Sequence, residues 1–246
     1  QAKTLFPYTT LFRSFLILLA IVLFAALTYA VNNGFRVSQD QGIPKEKART
    51  AAAEIMQKAT LAEQSVTRLR MTKGCRDIEL SFDSTLISYN NPNAPPDKHC
   101  HLFDPAGGGM TNLTFDPSYF DLAWTGPPIW GKYAFTQNRI PQIGTDCTGG
   151  GCDEIMLVVP FLRKEICDEL VKMTGLTDIP QVIGQIQMNK FIGDFDTSAK
   201  NFGSPTDRLY STCVQGKNQI YGVNGLYDNA TDGVGTYHYY HVLVAR

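Results

Sequence analysis

The stretch "KEKARTAAAEIMQKATLAEQSVTRLRM", which follows Pro44, constrains the fold more than any other. Ala48, Ala52, Ile55, Ala59, Ala62, Val66 and Leu69 succeed one another at alternating spacings of four and three residues. That period puts all seven on one face of an α-helix, with Lys, Glu, Gln, Thr, Ser and Arg over most of the rest. Four of the seven are alanine, so a neighbouring element can approach closely. A self-associating coiled coil carries Leu or Ile at more of these positions. The expected partner of this face is therefore the protein's own sheet. Pro44 suits the first helical position, where its missing N–H costs nothing.

Upstream lies the apolar, uncharged run "FLILLAIVLFAALTYAV", Phe15 to Val31. Its 17 residues would span roughly 25 Å as a helix, close to the ~30 Å of a bilayer's hydrocarbon core. It is longer than the usual h-region of a signal peptide, although "LTYA" offers a small-residue cleavage site. A retained transmembrane anchor is expected here, with the membrane as partner through Phe15 to Val31. Ahead of it, "TLFPYTTLFRS" at residues 4–14 back-translates to a common short-read sequencing adapter. Residues 1–14 are accordingly read as translated adapter and set aside from fold reasoning. Lys3 and Arg13 then give no information on orientation, and 20 basic against 23 acidic residues remain. No basic excess points to nucleic acid. Polar, glycine-bearing residues 32–44 read as a linker, and 45–246 as one exported domain.

Six cysteines follow the apolar run: Cys75, Cys100, Cys147, Cys152, Cys167 and Cys213. An even count behind a hydrophobic leader suggests disulfides formed in an oxidising compartment. Six cysteines admit 15 pairings. Spacing does not fix the connectivity; the most local pair is Cys147 with Cys152 across "CTGGGC", and Cys75 with Cys100 and Cys167 with Cys213 would then close longer loops. A zinc reading is weaker, because no CxxC pair occurs.

After Gly74 the pattern becomes strand-like and turn-rich. "DIELSFDS" (77–84) alternates as a strand does, "CHLFDPAGGGM" reads as a short strand entering a glycine turn, and "AWTGPPIWGKYAFTQ" as two short strands. Residues 154–159 read as a strand, followed by a helix from about Pro160 to Met173 with Gly175 as its stop. In that helix Phe161, Ile166, Leu170, Met173 and Cys167 can face the core. "TYHYYHVLVAR" closes the chain as a strand. The fold class expected is α+β: an N-terminal transmembrane helix, one amphipathic helix, then a disulfide-bearing antiparallel β-rich domain with a further helix.

Chemistry-bearing candidates are sparse. His99 and His101 flank Cys100, and with His238 and His241 on the last strand they form a very weak metal candidate. "DNATDG" resembles half a calcium loop, giving Asp228, Asn229 and Asp232 as weak calcium ligands, but Tyr239 stands where a bidentate Glu is expected. The Gly107–Gly109 and Gly149–Gly151 runs match no phosphate-binding motif and read as turns. Asp194 and Asp196 form a carboxylate pair of low specificity, and no nucleophile motif is present. No catalytic residue and no cofactor is assigned.

The order of parts resembles type IV pilins and pseudopilins. In more detail, "FLILLAIVLFAALTYAV", "NPNAPPDKHCHLFDPAGGG", "LVVPFLRKEICDEL" and "YYHVLVAR" resemble an uncharacterised set of bacterial membrane-anchored, pilin-like proteins. That resemblance implies an inner-membrane anchor with its domain in the periplasm or at the cell surface. It also implies a non-enzymatic role, as a minor component of a surface or secretion assembly with protein partners. Pilins carry a glutamate early in the apolar helix, and Phe15 to Val31 has none. Two other readings follow from the residues: a hydrolase using Asp194, Asp196 or the histidines, and a ligand-binding module using exposed Trp124, Trp130 and Tyr237.

Overall fold

The computed structural model describes residues 19–25, 43–144, 153–182, 186–195, 208–217, 219–221, 231–232 and 234–246. The chain divides into two units, Gln1–Ile43 and Pro44–Arg246. In the first, residues 19–25 are helical, and Leu19, Ile21, Val22, Leu23 and Phe24 are all exposed. The remainder of the apolar run, the adapter-like residues and nearly all of the linker lie outside the described residues. Among the described residues no helix is long and apolar enough to cross a membrane.

The second unit is a mixed α+β domain built on α1 (Lys45–Thr72). All seven positions of the alanine-rich stripe are buried, and Ala51 joins them. Pro44 is the N-cap, one residue before its expected place. The stripe packs against the sheet, as its small residues require, and equally against a second helix, α2 (Lys164–Met173). Ala→larger changes on such a face would separate three elements at once.

The main sheet has five strands: β1 (Ala134–Asn138), β2 (Glu154–Val159), β3 (Gln181–Val182), β5 (Ser211–Gly216) and β8 (Tyr237–Val244). Their spatial order is β1-β2-β8-β5-β3. The first four are antiparallel neighbours, but edge strand β3 runs parallel to β5, so the sheet is mixed rather than wholly antiparallel. A small second sheet holds β4 (Ile186–Gln187), β6 (Gln219–Tyr221) and β7 (Thr231–Asp232). Phe135, Leu157, His241 and Ser211 form one cross-strand row, hence one face. That face receives α1, because the His241 ring meets Glu63 of the helix. Val159, Tyr239 and Cys213 make a further row on the same face, and Cys213 is bonded there to Cys167 of α2.

The disulfides Cys75–Cys100 and Cys167–Cys213 are both present. Cys147 and Cys152 lie outside the described residues. α2 starts at Lys164 instead of Pro160, because Phe161 adopts a left-handed φ of 57° and Leu162 bridges to Phe120. It stops where expected. Gly175, at φ 82°, lets its own N–H reach the Lys172 carbonyl and the Leu176 N–H reach that of Val171. Met173 is exposed, not core-facing.

Three strand expectations fail between Gly74 and β1, the short strand expected in "CHLFDPAGGGM" among them, since His101 makes only an isolated bridge there. Residues 77–79 form a 3₁₀ turn, and Ser81 makes only an isolated bridge to His101. Asp83 there accepts from the Tyr89 N–H at 2.9 Å, and the Asn91 amide donates to the carbonyls of Ile78 and Leu80. Side chains thus take up groups that a ladder would use. Further on, Asp121 accepts from the Ala123 N–H and opens another 3₁₀ turn, Leu122–Trp124, so only β1 forms in that stretch. The irregular segment is held by aromatic packing. Phe135 stacks on Phe82 at 4.3 Å and meets Tyr133, Phe103 and Tyr89 within 6.0 Å. The Phe135 N–H donates to the Tyr89 hydroxyl, and its carbonyl accepts from the Phe191 N–H, which occupies the open edge of β1.

Candidate functional site

A cleft of about 510 Å³ on the irregular segment is lined by Asp83, Lys98, His101, Phe103, Asp104 and Asn112 among others. Its walls come from three successive turns. The Lys98 carbonyl accepts from the His101 N–H, the Asp104 carbonyl from the N–H groups of Gly107 and Gly109, and the His101 carbonyl from Gly108. Gly107 and Gly108 are required by close approach. A Cβ at Gly107 would lie 2.2 Å from the His101 carbonyl oxygen, and one at Gly108 would lie 2.3 Å from that of Leu102. Arg68 of α1 donates to the Gly108 carbonyl and ties the loop to the helix.

The cleft's charged groups are partly committed. Asp104 accepts from the Ala106 N–H, which lowers its pKa below the ordinary carboxylate value, and the nearby Lys98 ammonium at 3.4 Å adds to this. Partial burial lowers the His101 pKa; Lys98 acts in the same direction, and the carboxylates of Asp104 and Asp83 oppose it. The cleft therefore offers a neutral imidazole among two carboxylates and an ammonium, a lining suited to a small polar molecule.

The four histidines do not meet. His99 binds Asp97 through Nδ1 at 2.5 Å, while His101 faces the cleft. His238 and His241, three residues apart on β8, point to opposite faces. His241 Nε2 lies 2.7 Å from Glu63 and its Nδ1 lies 3.2 Å from the Tyr239 hydroxyl, a polar link between sheet and α1. His238 is fully buried, with Nε2 2.6 Å from the Thr236 hydroxyl and the Phe161 ring 5.3 Å away. A four-histidine metal cluster is thus overturned by the turn at 97–101 and by the parity of β8. Asp228 and Asn229 lie outside the described residues, and Asp232 sits in the β7 ladder. Asp194 is exposed, and Asp196 is outside the described residues. Trp124 and Trp130 are half-buried, one stacked on Phe161 and the other donating to the Asp121 carbonyl, so neither floors an open groove. The Tyr237 carbonyl accepts from the Leu162 N–H.

Among the buried carboxyls that the sequence reading did not single out, Glu154 is the most enclosed. Glu154, at the start of β2, is wholly enclosed; Oε2 accepts from the Ile140 N–H at 2.8 Å, and Oε1 has no partner among the described residues. Burial pushes its pKa up to about 7, helped by neighbouring Asp153. Burial alone pulls His238 down to about 3. These two groups give stability opposite pH slopes. Folded Glu154 holds more protons than the unfolded chain between 4.5 and about 7, so its contribution falls as pH rises through that window. Folded His238 holds fewer between about 3 and 6.5, so its contribution rises with pH and is complete above 6.5. Glu154→Gln should therefore make urea stability climb more steeply with pH across the shared window, and His238→Gln should tilt it downward. Identical slopes in both variants and the parent would contradict this burial.

Compared with known protein families, curated proteins and solved structures, the chain has no match.

Proposed function

We propose that the chain is a membrane-anchored extracytoplasmic protein of bacteria, a structural or accessory part of a surface or secretion assembly. In this reading Phe15 to Val31 holds the inner membrane and the domain stands in the periplasm or at the cell surface. The observation that carries it is the pair of disulfides, Cys75–Cys100 and Cys167–Cys213, in a chain with an uncharged apolar run upstream. Such bridges persist in oxidising compartments and are rare in the cytosol. α1 supports a narrower statement about partners. Its apolar stripe is consumed by α2 and β8, so helix-to-helix assembly would fall to the apolar run. A pilin-like minor component fits this division of labour.

The cleft around His101 favours a second reading, a module that binds a small polar ligand. Fractionation separates localisation from chemistry. The chain should sediment with membranes and resist alkaline carbonate, and its domain should be protease-accessible in intact cells if it stands at the surface, or once the outer membrane is opened if it stands in the periplasm. Deleting residues 15–31 should release it from the pellet. A domain that stays protease-protected in opened cells and leaves the membrane in carbonate would sink the anchored reading.

A further inference from the structure

We propose that Cys75, His99 and Cys100 form a zinc site when the chain is in its dithiol state, so that one disulfide position has two alternative closures. The sulfurs of Cys75 and Cys100 and a ring nitrogen of His99 all lie within 4.8 Å of one another. Two thiolates on one tetrahedral zinc stand about 3.8 Å apart, given Zn–S bonds of about 2.3 Å. The two Cα atoms are 5.7 Å apart, a separation that side-chain rotation alone can adapt from a bonded to a metal-bridged sulfur pair.

The imidazole is already held as a metal ligand needs to be. Asp97 takes His99 Nδ1 at 2.5 Å, which fixes the ring, and the proposed site takes Nε2 as the ligating nitrogen. A carboxylate behind a ligating histidine is the usual supporting partner of zinc sites. Cys75 and Cys100 are buried, while His99 is half-buried and closes the cluster toward solvent. Cys75 also lines a surface cleft with Thr67, Arg70, Met71, Arg76 and Asp77, so the site borders solvent. A solvent molecule would complete four-coordination. Cys167–Cys213 joins no comparable group among the described residues, which marks the first bridge as different.

The chemistry balances with a dithiol reductant. Its two thiols pass two electrons and two protons to the Cys75–Cys100 bond, leaving two protein thiols and the reductant's own disulfide. Zinc then binds both sulfurs as thiolates and releases the two protons. A small-molecule disulfide then accepts the two electrons, together with two protons from solvent, and leaves as two thiols, which restores the Cys75–Cys100 bond and frees the ion. The site does not depend on the membrane anchor, and its dithiol state is populated only where a dithiol reductant reaches the domain.

The test is titration of the full chain with Co²⁺ and Zn²⁺ under anaerobic conditions, before and after reduction with a phosphine. The reduced chain should bind one equivalent and show a thiolate-to-cobalt charge-transfer band; the oxidised chain should show neither. His99→Ala, which leaves the disulfide and therefore the oxidised fold intact, should abolish the one-equivalent step. Asp97→Asn should weaken it about 10- to 100-fold. Cys147→Ser/Cys152→Ser should leave it unchanged. Binding that survives His99→Ala, or that disappears with Cys147 and Cys152, would overturn the assignment, because the metal would then be held by other thiols.

Discussion

Phe135→Ala should lower the unfolding free energy by about 3–5 kcal/mol, the loss typical of deleting an enclosed aromatic ring. Phe135 is wholly buried on β1, and four aromatic rings close around it: Phe82, Tyr89, Phe103 and Tyr133. Three of those rings belong to residues 82–103, which contain no helix or strand of their own. The phenyl group is therefore the joint between an irregular layer and the sheet. Its backbone contacts to Tyr89 and Phe191 survive the substitution, so the measured loss reports the ring alone. Phe135→Leu retains more of that volume and should cost distinctly less. Urea denaturation reads both, with an unchanged m-value showing that the two-state transition is preserved. A loss below about 1 kcal/mol for the alanine variant would mean that the irregular layer is held elsewhere.

The second large effect is at α2. Cys167→Ala/Cys213→Ala should cost about 4 kcal/mol, since the bridge closes a loop with a sequence separation of 46. The matching change at Cys75 and Cys100, with a separation of 25, should cost about 3.5 kcal/mol. Both sums sit against a total stability of about 5–15 kcal/mol for an ordinary domain, so either loss should be plain in a thermal or urea transition. Alanine suits Cys167 and Cys213, because both are fully enclosed and a hydroxyl there would lack a partner. The larger loss belongs to the longer loop. The reverse order would show that the irregular layer depends on its bridge more than α2 does on its own.

α1 was legible because its period is unmixed: the seven stripe residues from Ala48 to Leu69 recur at helical spacing, and every one of them is buried. β2 and β8 were legible as apolar or aromatic runs of strand length. The stretch 77–84 misled because its alternation comes from polar residues with local tasks. Asp77 pairs with Arg70 at 2.8 Å, and Asp83 takes the Tyr89 N–H. Pro127 and Pro128 similarly cannot serve a ladder, and a single strand forms after them. The orientation of His238 and His241 was readable from their odd spacing, but the link from His241 to Glu63 was not, since it depends on how α1 crosses β8. Asp83, Lys98 and Asp104 of the cleft come from separate turns and share no period. Glu154 looked like an ordinary strand-end carboxylate, because burial on both faces of β2 is a property of the packed domain.

An extracytoplasmic placement requires the domain to be oxidised where it works. Peptide mapping under non-reducing conditions, on protein made in a bacterial host with its thiols blocked at lysis, tests this most directly. Linked peptides joining Cys75 to Cys100 and Cys167 to Cys213 are the predicted result. Recovery of all four cysteines as alkylated free thiols would contradict an extracytoplasmic domain held by these bridges.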